Sequence, residues 1–220
     1  MPELERVWPE RAEVTADDLV GEAGRPPAAR PWVTGVMVTS LDGRATLGGT
    51  SRALGGPADL AMLLALRRRA DALIVGPGTV RAEGYGPLPC PAVLVSRSFD
   101  LPWEAGLFSA PGQRVLVYTL AERGRPDVAA DVEAVPIVEL ADVLADLRGR
   151  GVERLLCEGG PTLNRALLAE GLLDELFLTL APVVAGEEAA PAIIAPGEPA
   201  RLSLRSVATA DGELYLRYSV

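Results

Sequence analysis

The segment that most constrains the fold lies at residues 157–162, where an apolar run meets an amphipathic one through two glycines. The apolar run covers 152–157, the junction reads Cys-Glu-Gly-Gly-Pro-Thr, and the amphipathic run covers 163–173. Gly159 and Gly160 permit positive φ and close approach of a backbone or ligand, and Pro161 suits the first position of a helix. The pattern predicts a strand, a tight turn and a helix whose free amides can bind a phosphate. The same residues also suit an ordinary corner of the chain.

A second turn of this kind follows the apolar run at 72–75, where the sequence continues Gly76-Pro77-Gly78-Thr79. One glycine turn after a strand is common. Two such turns at one edge of a parallel sheet are typical of a shared ligand site.

The remaining pattern favours an α/β fold. A near-continuous apolar run at 31–38 predicts a strand covered on both faces, and the apolar stripes at 57–70 and 140–150 predict helices. Further strands are predicted at 92–95, 114–118, 135–138 and 174–184, and an antiparallel hairpin at the sheet edge from 202–207 and 213–218. We therefore expect a mostly parallel sheet flanked by helices, with a C-terminal antiparallel hairpin. Residues 1–30, with one short helical piece at 15–20 capped by Thr15, are expected to form an arm on a single domain at 31–220.

Composition restricts the chemistry. The 220 residues contain 21 basic side chains, all of them arginine, against 30 acidic ones, for a net charge of −9. This balance disfavours a general binder of nucleic acid. There is no histidine, and the two cysteines lack CxxC spacing, so no metal site is expected and proton transfer falls to carboxylates, tyrosine or water. No apolar run is long enough to span a membrane, and the N-terminus lacks a signal-peptide pattern, so we expect a cytoplasmic protein.

Two strand ends present polar side chains that could face a ligand. Ser40 and Asp42 follow the first predicted strand, although Asp42-Gly43 also suits a plain turn. Ser96 and Arg97 follow the strand at 92–95, where an arginine could accommodate a phosphate monoester such as the 2′-phosphate of NADP, or could be a solvated loop residue.

Four ordered motifs then mark a resemblance. They are Val-Thr-Ser-Leu-Asp-Gly at 38–43, Asp-Ala-Leu-Ile-Val-Gly-Pro-Gly-Thr-Val at 71–80, Cys-Glu-Gly-Gly-Pro-Thr-Leu at 157–163, and Leu-Leu-Asp-Glu-Leu at 172–176 with Ala181-Pro182 beyond it. Over roughly residues 31 to 220 the chain resembles the pyrimidine reductases of riboflavin biosynthesis, which have a dihydrofolate-reductase-like fold.

The resemblance implies reduction by NADPH, with hydride transferred to C1′ of a ribosylaminopyrimidine 5′-phosphate. It also implies a small-molecule substrate and a homodimer, for which the apolar segments at 176–184 and 214–218 could supply an interface. Asp42 is the first candidate for orienting substrate or relaying a proton, and Glu83 is the second. The implied cofactor residues are Gly76, Thr79, Ser96, Arg97, Glu158, Gly159, Gly160 and Thr162, and the implied substrate residues are Ser40, Asp42, Ser51, Arg52 and Glu158.

The substrate side departs from the family pattern. Val36 stands where a lysine is usual, Ala53 where an aromatic residue is common, and 83–87 read Glu-Gly-Tyr-Gly-Pro in place of an Asp-Asp-Pro-Arg-like segment. Losing a charged partner for a phosphate forfeits about 1.5 to 3 kcal/mol unless Arg44, Arg52 or Arg81 compensates.

These departures leave three alternatives. The first is a reductase of a dihydrofolate-like pterin, which has no ribose phosphate to bind. The second is a catalytically inactive NADPH-binding module. The third, a doubly wound transferase using another nucleotide, is disfavoured because Ser96 and Arg97 stand where an acidic residue would close the third strand.

Overall fold

A computed structural model describes residues 3–121 and 127–220, so the first two residues of the expected N-terminal arm lie outside the described part of the chain. The helices are α1 (Ala16–Val20), α2 (Pro57–Arg69), α3 (Pro77–Glu83), α4 (Gly106–Ser109), α5 (Leu140–Gly149) and α6 (Pro161–Ala169). The strands are β1 (Leu4–Trp8), β2 (Ala12–Val14), β3 (Trp32–Thr39), β4 (Ala72–Ile74), β5 (Ala92–Val95), β6 (Arg114–Tyr118), β7 (Asp131–Val135), β8 (Arg154–Cys157), β9 (Glu175–Leu180), β10 (Ser203–Ala210) and β11 (Glu213–Ser219).

The described strands form a single sheet in the order β2-β1-β10-β11-β9-β3-β8-β4-β5-β6-β7. Neighbouring strands are parallel along β9-β3-β8-β4-β5-β6-β7. Neighbouring strands are antiparallel along β2-β1-β10-β11-β9. This confirms the expected mostly parallel α/β sheet and its antiparallel hairpin of β10 and β11. The hairpin's predicted place at the sheet edge is wrong, because β1 and β2 lie outside it.

Both faces of the parallel part are covered, which explains its continuous apolar runs. On β4, Leu73 packs into a core shared with α2, while Ala72 and Ile74 pack into a second core shared with α5. All three side chains are fully buried. The alternation of β-strand side chains therefore divides one apolar run between two cores.

The N-terminal segment contributes more than an arm. The predicted short helix is confirmed as α1, where Thr15 accepts a hydrogen bond from Asp18 N and Asp18 bonds back to Thr15 N in a capping box. Before it, β1 pairs with β10 and β2 with β1, two strands that the sequence did not predict. Such short strands near a sheet edge depend on their pairing partners more than on local pattern.

Prolines set two strand ends. The predicted strand at 135–138 instead ends at Val135, because Pro136 has no N–H to donate to the ladder. The predicted strand at 174–184 likewise ends at Leu180, shortly before Pro182. Among the described helices, none has both the length and the apolar character required to cross a bilayer.

Candidate functional site

The two glycine turns meet in space. Strands β4 and β8 are neighbours in the sheet, and Gly76 N donates to Gly159 O at 2.8 Å. Helix α3 begins at Pro77 and helix α6 at Pro161, so two helix N-termini open at one point on the carboxyl edge. Backbone amides and helix dipoles at such a point favour an anion.

Glycine is required at this meeting point. Gly159 has φ +83°, and a Cβ there would lie 2.8 Å from the Met37 sulfur. A Cβ on Gly160 would lie 2.8 Å from Thr79 Oγ1. The space that side chains would fill is thus left open beside the hydroxyl of Thr79.

A cavity of about 420 Å³ opens next to the turns. Apolar side chains including Val36, Met37 and Leu63 form much of its wall, together with Gly76, Thr79, Gly160 and Thr162 from the turns. Its charged lining residues are three carboxylates, Asp59, Glu83 and Glu158, and none of the described lining residues is an arginine. Val36, which stands where the resemblance implies a lysine, lies in the cavity wall.

Glu158 is held by two partners. Its carboxylate accepts from Arg67 Nε at 2.6 Å and Nη2 at 2.7 Å, and from the hydroxyl of Tyr85 at 2.5 Å. The hydrogen bond that Arg67 donates to Glu158 raises the pKa of Arg67, and burial raises the pKa of Tyr85 well above its usual value. The carboxylate of Glu158 is therefore held in place at this wall of the cavity, and its charge is paired with that of Arg67.

Asp59 has a different environment and was not singled out by the sequence analysis. It is the third residue of α2, partly buried, and lines the cavity. Removal from water raises the pKa of Asp59 to about 6, and the charge of Glu213 adds to the rise. Asp59, Leu63 and Leu66 share one helix face, so an acidic residue on the apolar stripe was the available signal.

Glu83 and Ser51 meet at another part of the cavity wall. Ser51 N donates to Glu83 Oε1 at 2.8 Å, and both residues line the cavity. Arg52 is exposed, donates to the backbone oxygen of Glu83 at 3.1 Å, and is not among the cavity-lining residues. Glu83 thus lines the cavity and Arg52 does not, and the roles of both residues stay predictions.

Asp42 and Ser40 lie away from the cavity lining. Asp42 accepts from Ser40 Oγ at 2.6 Å and from the amides of Ala185 and Gly186 at 2.9 and 3.0 Å. These donors hold the pKa of Asp42 well below its usual range. A carboxylate this difficult to protonate is a poor proton relay, and its contacts tie the turn after β3 to the loop after β9. The substrate roles of both residues stay predictions.

Ser96 and Arg97 lie at the end of β5, one strand beyond β4 on the same carboxyl edge. Ser96 is buried and its amide donates to Tyr118 O at 3.0 Å, whereas Arg97 is exposed. Neither lines the cavity. A dinucleotide with its phosphates at the glycine turns would need to extend over β4 to reach them, so their cofactor role also stays a prediction.

Comparison with known proteins agrees with this geometry. The chain is 30% identical over 219 residues to the 2,5-diamino-6-ribosylamino-4(3H)-pyrimidinone 5′-phosphate reductase of Methanothermobacter thermautotrophicus, covering 87% of this chain and 99% of that protein. The crystal structure of a pyrimidine reductase-like protein from Corynebacterium diphtheriae superposes with a TM-score of 0.77 and 27% identity, covering 94% of this chain and 99% of that one.

The likeness extends, for the fold alone, to dihydrofolate reductase from Enterococcus faecalis. That structure superposes with a TM-score of 0.51 and 14% identity over 86% of this chain and 95% of the other. The dihydrofolate-reductase-like fold expected from the sequence is thereby confirmed.

The family model described as the RibD C-terminal domain matches residues 31–216. With that match and these relatives, the chain belongs to the RibD C-terminal domain family, the reductases of the riboflavin pathway.

Proposed function

We propose that the protein uses NADPH to reduce a ribosylaminopyrimidine 5′-phosphate at C1′ of the ribose. The observation that supports this best is the meeting of two glycine turns and two helix N-termini beside a cavity lined by carboxylates. The named relative from M. thermautotrophicus acts on such a substrate.

The residues present suit a dinucleotide. The open space at Gly159 and Gly160, which Cβ atoms would fill, and the hydroxyls of Thr79 and Thr162 suit a pyrophosphate. When bound, NADPH would supply the hydride. Gly76 would line its path, while Ser96 and the exposed Arg97 would meet the 2′-phosphate.

The protein's part in the reaction is then to bind, orient and exclude water. The apolar wall formed by Val36, Met37 and Leu63 would pack against the flat ring, while Glu158, fixed by Arg67, would hold a polar edge of the substrate. Aligning the nicotinamide with the substrate would itself account for a large share of the catalysis. Ser51 and Glu83 would face the substrate from another part of the cavity wall. Ser40, Asp42 and Arg52 could act on it only from outside the described cavity lining.

A titration that follows nucleotide fluorescence tests the proposed binding of NADPH. Wild-type protein should bind NADPH more tightly than NADH, and Arg97→Ala should lose about tenfold to a hundredfold in NADPH affinity because a charged hydrogen bond to phosphate is removed. The exposed Arg201→Ala, in the loop before β10, is the matched control and should leave the preference intact. If neither nucleotide binds, the glycine turns are purely structural and the proposal fails.

A dihydropterin is the second candidate substrate. One observation favours it: the described lining of the cavity has no basic side chain to pair with a ribose phosphate. NADPH oxidation assays with and without inorganic phosphate separate the two, since only a phosphorylated substrate should be competed. NADPH binding without oxidation by any pyrimidine or pterin would instead indicate an inactive binding module.

We also propose a homodimer formed through the apolar face of β9 and β11. On this face Leu178 pairs with Leu216 and Leu180 with Leu214, and Leu214 is 38% exposed. Light scattering after size exclusion tests this, and a monomer at micromolar concentration would contradict it. A cytoplasmic location also stays a prediction.

A further inference from the structure

We propose that a second cavity, at the amino ends of the parallel strands, binds an aliphatic primary ammonium ion through Glu175 and Thr34. The first cavity opens at the opposite, carboxyl edge of the sheet, and the two cavities share none of their described lining residues. The inference therefore goes beyond the proposed function and does not depend on it. It assigns a further ligand site to this chain.

The second cavity has a volume of about 640 Å³. It is lined by residues near the start of β3, β8 and β9, by the end of α2, and by α1 with residues 21–23. The family model matches from residue 31, so α1 and residues 21–23 lie outside the matched region. One side of this cavity is therefore built by a segment that precedes the matched domain.

The first argument is a buried carboxylate that is only partly paired. Glu175 begins β9 and lines the cavity, and its side chain is only 8% exposed. Arg217 Nε donates to Glu175 Oε1 at 2.5 Å, whereas Arg217 Nη2 donates to the backbone oxygen of Glu22. No other residue in the described part of the chain donates a hydrogen bond to the Glu175 side chain. Its second oxygen therefore has acceptor capacity that a cationic ligand would use.

The second argument is a hydroxyl beside this carboxylate. Thr34 pairs with Glu175 in the parallel register of β3 and β9, and neighbouring strands lie about 4.8 Å apart. Thr34 is buried and lines the cavity, and its hydroxyl makes no hydrogen bond within residues 3–121 and 127–220. An ammonium group has three N–H donors, and a carboxylate oxygen and a hydroxyl oxygen can accept two of them. The pair therefore suits a primary ammonium ion.

The third argument is the character of the remaining lining. Four described lining residues are acidic and two are basic, a net excess of two negative charges: Asp17, Asp18, Glu22 and Glu175 against Arg69 and Arg154. Arg69 donates to the backbone oxygens of Gly21 and Asp17, and Arg154 lies on β8, which β3 separates from β9. The apolar side chains of Val20, Leu66, Leu156 and Phe177 also line the cavity. This lining favours a cation that carries an alkyl chain.

The test follows amide signals of the isotope-labelled intact chain by NMR during titration with pentylammonium or with the uncharged 1-pentanol. Pentylammonium should shift the amides of Thr34 and Glu175 and bind about tenfold to a hundredfold more tightly than 1-pentanol. Glu175→Gln should lose about the same factor, because the charge is removed. Thr34→Val, which keeps the ion pair of Glu175, should lose about threefold to tenfold. The exposed Glu104→Gln, outside the cavity, is the matched control and should leave the affinity unchanged.

Several outcomes would overturn this site. They are equal affinity for 1-pentanol, no shift at millimolar pentylammonium, and wild-type affinity for pentylammonium in folded Glu175→Gln. Displacement of pentylammonium by NADPH would also overturn it, because the amine would then occupy the first cavity. If Glu175→Gln does not fold, Thr34→Val decides the question, and unchanged affinity in that variant would refute the proposal. Each result stands whether or not NADPH is oxidised, so this site and the proposed function can fail separately.

Discussion

Replacing Asp59 with asparagine should make the protein more stable at neutral pH. The pKa of this carboxyl is raised from 3.8 to about 6 by removal from water and by the charge of Glu213. A rise of about two pKa units corresponds to about 3 kcal/mol of lost stability once the group is ionised. Because the asparagine amide needs hydrogen-bonding partners of its own, the net gain should be about 1 to 3 kcal/mol.

The pH dependence identifies the cause. A carboxyl whose pKa is higher in the folded state binds its proton more tightly there, so the folded state is favoured at low pH and loses this advantage as pH rises from 3.8 to about 6. The difference in the free energy of unfolding between Asp59→Asn and wild type should therefore be near zero at about pH 4 and reach its full size by about pH 7.

Urea unfolding at these two pH values measures the difference. For a chain of this size each kcal/mol also moves the melting temperature by about 2 to 4 °C. Glu104→Gln, which likewise removes one negative charge but at an exposed position, is the control and should show no such pH-dependent difference in stability. If Asp59→Asn is destabilising at neutral pH, or if its effect is equal at both pH values, the account of Asp59 as an uncompensated carboxylate is refuted.

Three further predictions concern Arg67, Asp42 and Gly159. Arg67→Met should lower the free energy of unfolding by about 3 to 5 kcal/mol, because it leaves the buried carboxylate of Glu158 without its cation, and combining it with Glu158→Gln should recover part of that loss in the same urea assay. Asp42→Asn should accelerate proteolytic cleavage of the loop after β9, whose two amides it holds, and wild type should keep its resistance down to about pH 4 because the pKa of Asp42 is low. Gly159→Ala should weaken NADPH binding at least tenfold by fluorescence titration, since alanine disfavours φ +83° and its Cβ would lie 2.8 Å from the Met37 sulfur; unchanged affinity would contradict a role for this turn in the cofactor site.

Local signals explain which parts of the fold were predictable. The glycine turns at Gly76 and Gly159 and the hairpin through Gly212 are set by residues adjacent in sequence, and the structure has each of them. Strand β1 depends on pairing with β10, about 200 residues away, as in the register of Glu5 with Thr209, and β2 in turn pairs with β1. No pattern within the first 20 residues determines such a pairing.

The candidate site likewise has residues that the sequence identifies and contacts that it does not. Glu158 was recognisable from its motif, but its partners Arg67 and Tyr85 come from α2 and from the segment after α3. The raised pKa of Asp59 arises mainly from burial in the folded protein, and the charge of Glu213, which is distant in sequence, adds to it. In the sequence Asp59 is an ordinary acidic residue in the first turn of a helix, where the helix dipole favours one, and only the folded sheet shows that it faces the cavity.

The gain in stability expected for Asp59→Asn distinguishes a functional role of this residue from a structural one. A residue that serves the fold is destabilising when removed, whereas Asp59 has no cation among the described residues and should reduce stability as an ionised group. Stability lost at a site is commonly retained where a ligand supplies the missing interactions. A substrate whose N–H groups reach this carboxylate would supply hydrogen bonds to that charge, so its binding should stabilise wild-type protein more than the variant. A variant that is more stable but binds the substrate less tightly would fit a carboxylate kept for ligand binding.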